Sequence, residues 1–118
     1  MNRFLVGLMF LIFACNQGGK KEIDELIDND KPDDLVKGFY LIGEQKDTNY
    51  IVEILRNPYD PRISHRLKFK GISVYQSKML AMKKISGRTP PKEITYKPDS
   101  VIVNFYIDWA KSKSYKQY

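Results

Sequence analysis

The 118-residue chain contains one cysteine, Cys15, so no disulfide can form within it. Its stability must therefore come from the burial of apolar side chains. The composition can supply such a core, because 42% of the residues are hydrophobic and 13% are aromatic. A chain of this length is sufficient for one domain with a modest core. We therefore expect a single folded domain.

The residues before Cys15 have the features of an export signal. Arg3 is followed by the eleven apolar residues 4–14, and a short cationic start before a brief apolar run is typical of such signals. The run falls well short of the roughly 20 residues that a membrane-spanning helix needs. The tetrapeptide Ile12-Phe13-Ala14-Cys15 resembles the lipobox of bacterial lipoproteins, in which an aliphatic, a variable and a small residue precede the modified cysteine.

The resemblance implies that residues 1–14 are removed and that the thiol of Cys15 is joined to a diacylglycerol. A further fatty acyl chain such as palmitate would be added to its amine, and two or more acyl chains suffice for stable membrane attachment. The residue after the cysteine is Asn16 and not an aspartate. In the best-known sorting rule for lipoproteins, this fits an outer-membrane destination. The alternatives are an ordinary secreted product, an uncleaved membrane helix and a buried N-terminal element.

Charge divides the chain unevenly. Residues 1–34 hold seven acidic and four basic residues, whereas residues 35–118 hold sixteen basic and seven acidic residues. We therefore expect residues 15–34 to form a lipidated cysteine with a flexible acidic tether and residues 35–118 to form one basic domain. Ile23, Leu26 and Ile27 have helical spacing, so one or two turns that dock on the domain are the alternative. Residues 28–34 are acidic, but Pro32 and the lack of a glycine and a following glutamate argue against a calcium loop.

The pattern after residue 34 predicts an α+β fold, with a small antiparallel sheet of four or five strands and one covering helix. The helix is expected from about Val74 to Ser86, with Ser73 at its start and Gly87 at its end. The segments rich in β-branched or aromatic residues, or with alternating hydrophobicity, are the predicted strands. They are Val36–Ile42, Tyr50–Leu55, His65–Ile72, Ile94–Tyr96 and Val101–Trp109.

Catalytic motifs are not evident. His65 is the only histidine, and the sequence has no nucleophile elbow, phosphate-binding glycine loop or metal-spaced set of His and Cys. Acidic residues that could serve a hydrolase show no spacing that selects a pair. They are Glu44, Glu53, Asp60, Glu93, Asp99 and Asp108. We therefore expect no enzymatic activity, no cofactor and no metal site.

A cluster of basic residues is the strongest candidate for binding. It comprises Arg62, His65, Arg66, Lys68 and Lys70. On a strand, residues 66, 68 and 70 would share one face at intervals of about 6.6 Å, which indicates a surface for an anionic partner. A merely solvated face is the alternative. Because the chain is expected to be exported, an acidic envelope protein or an anionic glycan or lipid is a better partner than nucleic acid.

The sequence thus predicts a lipid-anchored protein of the bacterial cell envelope that acts as a binding or accessory module. The alternative is a membrane-anchored inhibitor or immunity protein against an enzyme that attacks the envelope. The basic domain argues weakly against the alternative, because many such enzymes are cationic and their inhibitors gain from acidity. A small envelope enzyme is the third possibility.

Overall fold

A computed structural model describes residues 19–115, so Cys15, Asn16 and the predicted signal peptide lie outside the described residues. Within residues 19–115 the chain forms five α-helices and two short 3-10 turns, and it forms no β-strand. The helices are α1 (19–28), α2 (Pro32–Gln45), α3 (Ile51–Leu55), α4 (Val74–Ser86) and α5 (Ser100–Ser112). The 3-10 turns are Thr48–Tyr50 and Leu67–Phe69. An isolated bridge between Ile63 and Ser73 is the one β-type pairing of this part of the chain.

The α+β prediction with a sheet of four or five strands is therefore wrong. Three predicted strands lie in helical structure, and the other two lie in loops. Val36–Ile42 belongs to α2, Tyr50–Leu55 to the first 3-10 turn and α3, and Val101–Trp109 to α5. His65–Ile72 is a loop with the second 3-10 turn, and Ile94–Tyr96 is irregular. The physical reason is that β propensity is weak and depends on context, and burial at helical spacing overrides it here.

Helix α2 shows this most clearly. Pro32 lies in its first turn, where its missing N–H is not needed, and two acidic residues follow it at the positive end of the helix dipole. The buried positions form a stripe at helical spacing, namely Leu35, Val36, Phe39, Ile42 and Gly43. The helix ends at Lys46, which adopts a left-handed backbone conformation with φ of 51°.

Helix α5 begins at a side-chain cap. A carboxylate oxygen of Asp99 accepts a hydrogen bond from the backbone N–H of Val101 at 2.8 Å. Alternation along a strand would have placed Val101 and Val103 on one face, yet Val101 is 44% exposed and Val103 is fully buried. The buried positions follow the helical period, with Ile102, Val103, Tyr106 and Ala110 facing the core.

The helix predicted near Val74–Ser86 is confirmed as α4. The hydroxyl of Ser73 accepts a hydrogen bond from the N–H of Gln76 at 3.0 Å, and Gly87 ends the helix with φ of 69°. The same hydroxyl donates to the carbonyl oxygen of Tyr96 at 2.7 Å. This one side chain therefore caps α4 and also holds the loop that precedes α5.

Helix α1 packs antiparallel to α2, so residues 19–28 take the docked form that the spacing of Ile23, Leu26 and Ile27 allowed. Ile23 is fully buried, and a Cβ added to Gly38 would lie 2.7 Å from Cγ2 of Ile27. At the other end, a Cβ added to Gly19 would lie 3.3 Å from Nε2 of Gln45. Helix α2 also crosses the predicted boundary between residues 34 and 35. The acidic residues 28–34 thus include the turn between α1 and α2 and the first turn of α2.

Candidate functional site

A pocket opens along the packing of α2 against α4, beside the second 3-10 turn. The two helices approach closely at Gly43 and Ala81, where a Cβ on Gly43 would lie 3.1 Å from Cα of Ala81. Next to this contact lies a cavity of about 250 Å³. We call it the aromatic pocket. Its walls are mostly apolar, and they include Phe39, Tyr40, Phe69, Ile72, Leu80 and Ala81.

Two lysines flank the ring of Tyr40 at this pocket. The Nζ of Lys68 lies 5.0 Å from the ring centroid of Tyr40 and 5.5 Å from that of Phe69. The Nζ of Lys84 lies 4.9 Å from the same Tyr40 centroid. The rings of Tyr40 and Phe69 are 5.2 Å apart. These distances suit cation–π attraction, which holds positive charge beside an apolar surface.

The two lysines differ in their partners. Lys84 forms a salt bridge with Glu44, which holds the pKa of that carboxyl below its ordinary value. Lys68 has no carboxylate within 4.0 Å among residues 19–115. The charge of Lys68 acts on Glu44 from a greater distance and contributes to the lowered pKa of that carboxyl. A negatively charged group from outside can therefore approach Lys68 without breaking a salt bridge in this part of the chain.

An exposed apolar side chain adjoins the pocket. Leu67 precedes Lys68 in the 3-10 turn and is 94% exposed, the highest exposure of a large apolar side chain within residues 19–115. In the same turn, the side chain of Phe69 is buried. The surface at this point therefore combines an apolar cavity, an exposed leucine and an amine that has no internal salt bridge within the described residues.

The basic cluster predicted from the sequence does not form a row on a strand. Arg62 donates to carboxylate oxygens of Asp60 at 2.7 Å and of Asp30 at 3.0 Å, and both contacts raise its pKa. Arg66 forms a salt bridge with Asp34 in the first turn of α2. These two arginines therefore serve to hold the loop 60–66 onto the start of α2.

His65 lines an open cavity together with Arg62 and Arg66, beside the first turn of α2. The backbone N–H of His65 donates to Oδ1 of Asp33 at 2.8 Å, and the hydroxyl of Ser64 donates to the same oxygen at 2.9 Å. Both contacts lower the pKa of Asp33. Lys70 is exposed at the end of the 3-10 turn. Of the five predicted residues, only Lys68 lines the aromatic pocket.

Several of the carboxylates considered for catalysis take part in local contacts, whereas Glu93 and Asp108 are exposed. Glu53 pairs with Arg56 at 3.2 Å and Asp99 pairs with Lys92 at 3.2 Å. Across residues 19–115, no set of three or more His, Cys, Asp or Glu side chains is placed to hold a metal ion.

Lys78 is the buried amine that the sequence did not single out. It is 6% exposed, and its Nζ donates to the carbonyl oxygens of Arg56 at 3.0 Å and Asn57 at 3.1 Å. The amine also lies 5.0 Å from the ring centroid of Phe39. Burial lowers the pKa of Lys78 to about 8, against a weaker opposing effect of Asp60. Because the amine binds the carbonyls that follow α3, its role is structural.

The aromatic pocket had a signal in the sequence. Val36, Phe39, Tyr40 and Gly43 follow the i, i+3, i+4, i+7 spacing of one helix face. The interpretation of residues 36–42 as a strand divided these residues between two faces and so concealed them.

Comparisons with protein families, with curated proteins and with solved structures find no match to this chain. None of the helices within residues 19–115 combines the length and the hydrophobicity needed to span a bilayer.

Proposed function

We propose that the chain is a lipid-anchored protein of the bacterial cell envelope, placed in the outer membrane, that binds an acidic partner protein through the aromatic pocket. The anchor is supported by the sequence alone, through Arg3, the apolar residues 4–14 and the lipobox-like ending at Cys15. The binding role is supported by the geometry of the pocket. Together they describe an accessory module of an envelope assembly.

The observation that carries the binding role is the position of Lys68. Its amine lies beside two aromatic rings at the pocket and has no carboxylate within 4.0 Å among the described residues. Arg62 and Arg66, by contrast, already bind carboxylates of the protein itself. An aspartate or glutamate of a partner would gain a charge-assisted contact at Lys68, where a neighbouring apolar surface reduces competition from water.

The size of the pocket favours a protein partner. A cavity of about 250 Å³ lies just below the range of about 300–1,000 Å³ that is usual for small-molecule sites. It accepts a single aromatic or branched aliphatic side chain. The exposed Leu67 extends the apolar surface beyond the cavity, and an apolar anchor with a polar rim is typical of protein interfaces.

Photo-crosslinking in cells tests this role. Replacing Leu67 of the full chain with a photoreactive residue should give a discrete crosslinked product with a resident acidic envelope protein. Lys68→Glu should abolish that product, whereas Lys70→Glu, a matched reversal two residues away, should leave it intact. A crosslink that survives Lys68→Glu, or that equally disappears with Lys70→Glu, would contradict the assignment of the pocket. A secreted enzyme as the crosslinked protein would favour the inhibitor alternative.

A further inference from the structure

The start of α1 lies beside the end of α2. A Cβ added to Gly19 would be 3.3 Å from Nε2 of Gln45. The first described residue is therefore next to the C-terminal end of α2. Cys15 precedes Gly19 by four residues, and each residue spans at most about 3.6 Å. Whatever conformation these residues adopt, Cys15 is therefore within about 14 Å of Gly19. An acyl anchor at Cys15 would consequently hold this end of the molecule near the membrane.

The C-terminal end of α4 is at the same end of the molecule. Gly43 of α2 packs on Ala81 of α4, and Glu44 forms a salt bridge with Lys84. Three exposed lysines lie at the adjoining ends of α1 and α2, and we call them the lysine end. They are Lys20 and Lys21 at the start of α1 and Lys46 after α2.

The acidic residues at this end are largely occupied. Glu22 lies 3.7 Å from Lys37, and Glu44 pairs with Lys84. Asp47 accepts a hydrogen bond from the N–H of Asn49 at 3.0 Å. None of the three lysines of the lysine end has a carboxylate within 4.0 Å among residues 19–115. Their charge is therefore available to an external anion.

The opposite end of the α1–α2 pair is acidic. It carries Asp28, Asp30, Asp33 and Asp34 around the turn that joins the two helices. Arg62 and Arg66 bind two of these carboxylates. With 14 residues in α2, the two ends are separated by roughly 20 Å. Lys31, Arg62 and Arg66 offset part of this acidic charge, so the molecule has a partial charge polarity along α2. The attachment point of the predicted anchor is at the more positive end.

We propose that the lysine end lies against the anionic phospholipid headgroups of the membrane to which Cys15 is anchored. This inference rests on the lipid anchor of the proposed function. Basic residues next to a membrane anchor are attracted to anionic headgroups within a Debye length of the surface. This contact orients the protein so that its acidic end is directed away from the membrane. The aromatic pocket lies on the side of the molecule formed by α2 and α4.

Headgroup quenching in vesicles tests the orientation. The full native lipid-modified protein is reconstituted into phosphatidylcholine vesicles with or without phosphatidylglycerol, and both contain a headgroup-attached quencher. A fluorophore is placed at Asn49→Cys, near the lysine end, or at Pro61→Cys, near the acidic end, since both positions are exposed. Quenching at position 49 should exceed that at position 61 severalfold in phosphatidylglycerol vesicles. The difference should decrease in high salt.

Charge reversal provides the matched control. Lys20→Glu, Lys21→Glu and Lys46→Glu combined should abolish the extra quenching that phosphatidylglycerol produces at position 49. A control variant with Lys31→Glu, Lys70→Glu and Lys97→Glu, which reverses three exposed lysines elsewhere, should preserve it. Equal quenching at both positions, or quenching independent of phosphatidylglycerol, would overturn the orientation while leaving the anchor intact. Protein that fails to float with pure phosphatidylcholine vesicles, and whose Cys15 reacts with the fluorophore, would overturn the anchor itself.

Discussion

Gly43 of α2 lies so close to Ala81 of α4 that a Cβ at position 43 would be 3.1 Å from Cα of Ala81. The same Cβ would be 3.2 Å from Cδ of Lys84. Both distances are shorter than ordinary van der Waals contacts, and the first is to a backbone atom that moves only with its helix. The glycine therefore sets the distance between the two helices that form the aromatic pocket.

Gly43→Ala should destabilise the protein. The substitution gains up to about 1 kcal/mol of helix propensity, but it separates α2 from α4 along their buried faces, and overpacking costs about 1–3 kcal/mol. We expect a net loss of about 1 kcal/mol in the free energy of unfolding, measured by chemical denaturation. Asn104→Ala, on the exposed face of α5, introduces the same side chain without the contact and should be neutral or stabilising. If Gly43→Ala raised the free energy of unfolding as much as Asn104→Ala, that result would contradict the close packing of α2 and α4.

Tyr75 and Tyr106 form a matched pair. Both side chains are fully buried, but the hydroxyl of Tyr106 donates to the carbonyl oxygen of Arg88 at 2.9 Å. The hydroxyl of Tyr75 lacks a hydrogen-bond partner within the described chain. Burial raises its pKa, and the nearby backbone of Asp99 opposes part of that rise.

Tyr75→Phe should accordingly be neutral or stabilising, because it removes a buried polar atom that makes no hydrogen bond. Tyr106→Phe should lose about 1 kcal/mol, because it leaves the carbonyl of Arg88 without its donor. Thermal and chemical unfolding of the two variants measure the difference. A larger loss for Tyr75→Phe than for Tyr106→Phe would indicate that the hydroxyl of Tyr75 has a partner, such as an internal water.

Lys78 should make stability depend on pH in the alkaline range. Its pKa is about 8 in the folded protein, against about 10.4 for an unfolded chain. Between these values the unfolded state binds more protons, so the free energy of unfolding rises with pH. The rise has an upper limit of about 3 kcal/mol. Above about pH 10 the buried tyrosines oppose it, because the raised pKa values of Tyr50 and Tyr106 favour their protonated forms in the folded state.

Denaturation between pH 7.5 and 9.5 measures this effect, and Lys78→Met supplies the control. The variant should lack the rise with pH, because it has no amine to deprotonate. Identical slopes for the wild type and Lys78→Met would show that the amine does not titrate in this range.

Charge reversal at Arg66, which pairs with Asp34 of α2, should lower stability more than charge reversal at Lys70. Arg66→Glu places a carboxylate against Asp34, which is only 12% exposed, so the loop 60–66 should detach from the start of α2. We expect a loss of at least about 1 kcal/mol in stability and greater proteolysis of the loop. Lys70→Glu should change stability by less than about 0.5 kcal/mol. Equal stability of the two variants would contradict the structural role of Arg66.

The helices carried signals that the sequence analysis read as strands. In α2, Pro32 and the acidic first turn mark a helix start, and in α5, Asp99 is a side-chain cap. Each signal precedes a run of β-branched and aromatic residues, whose β propensity favours a strand although their burial follows the helical period. In α4 both caps and the period agreed, so the prediction was correct. The burial of Ile102 beside the exposure of Val101 is the pattern that distinguishes a helix from a strand.

The site was less predictable than the helices. Lys68 was among the predicted binding residues, but its neighbours Tyr40 and Lys84 are far from it in sequence and reach it only through the packing of α2 on α4. The sequence predicts a flexible tether that includes residues 28–34, because no local pattern reveals that Arg62 and Arg66 fold back onto its acidic residues. Long-range pairs of this kind depend on tertiary structure, which a single sequence does not specify locally.

The proposed location depends on the lipid anchor, and the intact mass of the protein purified from its native membranes measures that anchor. We predict an N-terminus at Cys15 that carries a diacylglycerol on sulfur and a fatty acyl chain on its amine. Cys15→Ser should correspondingly move the protein from the membrane to the soluble fraction. A native product that retains Met1 and a free thiol at Cys15 would contradict the anchor and, with it, the proposed location.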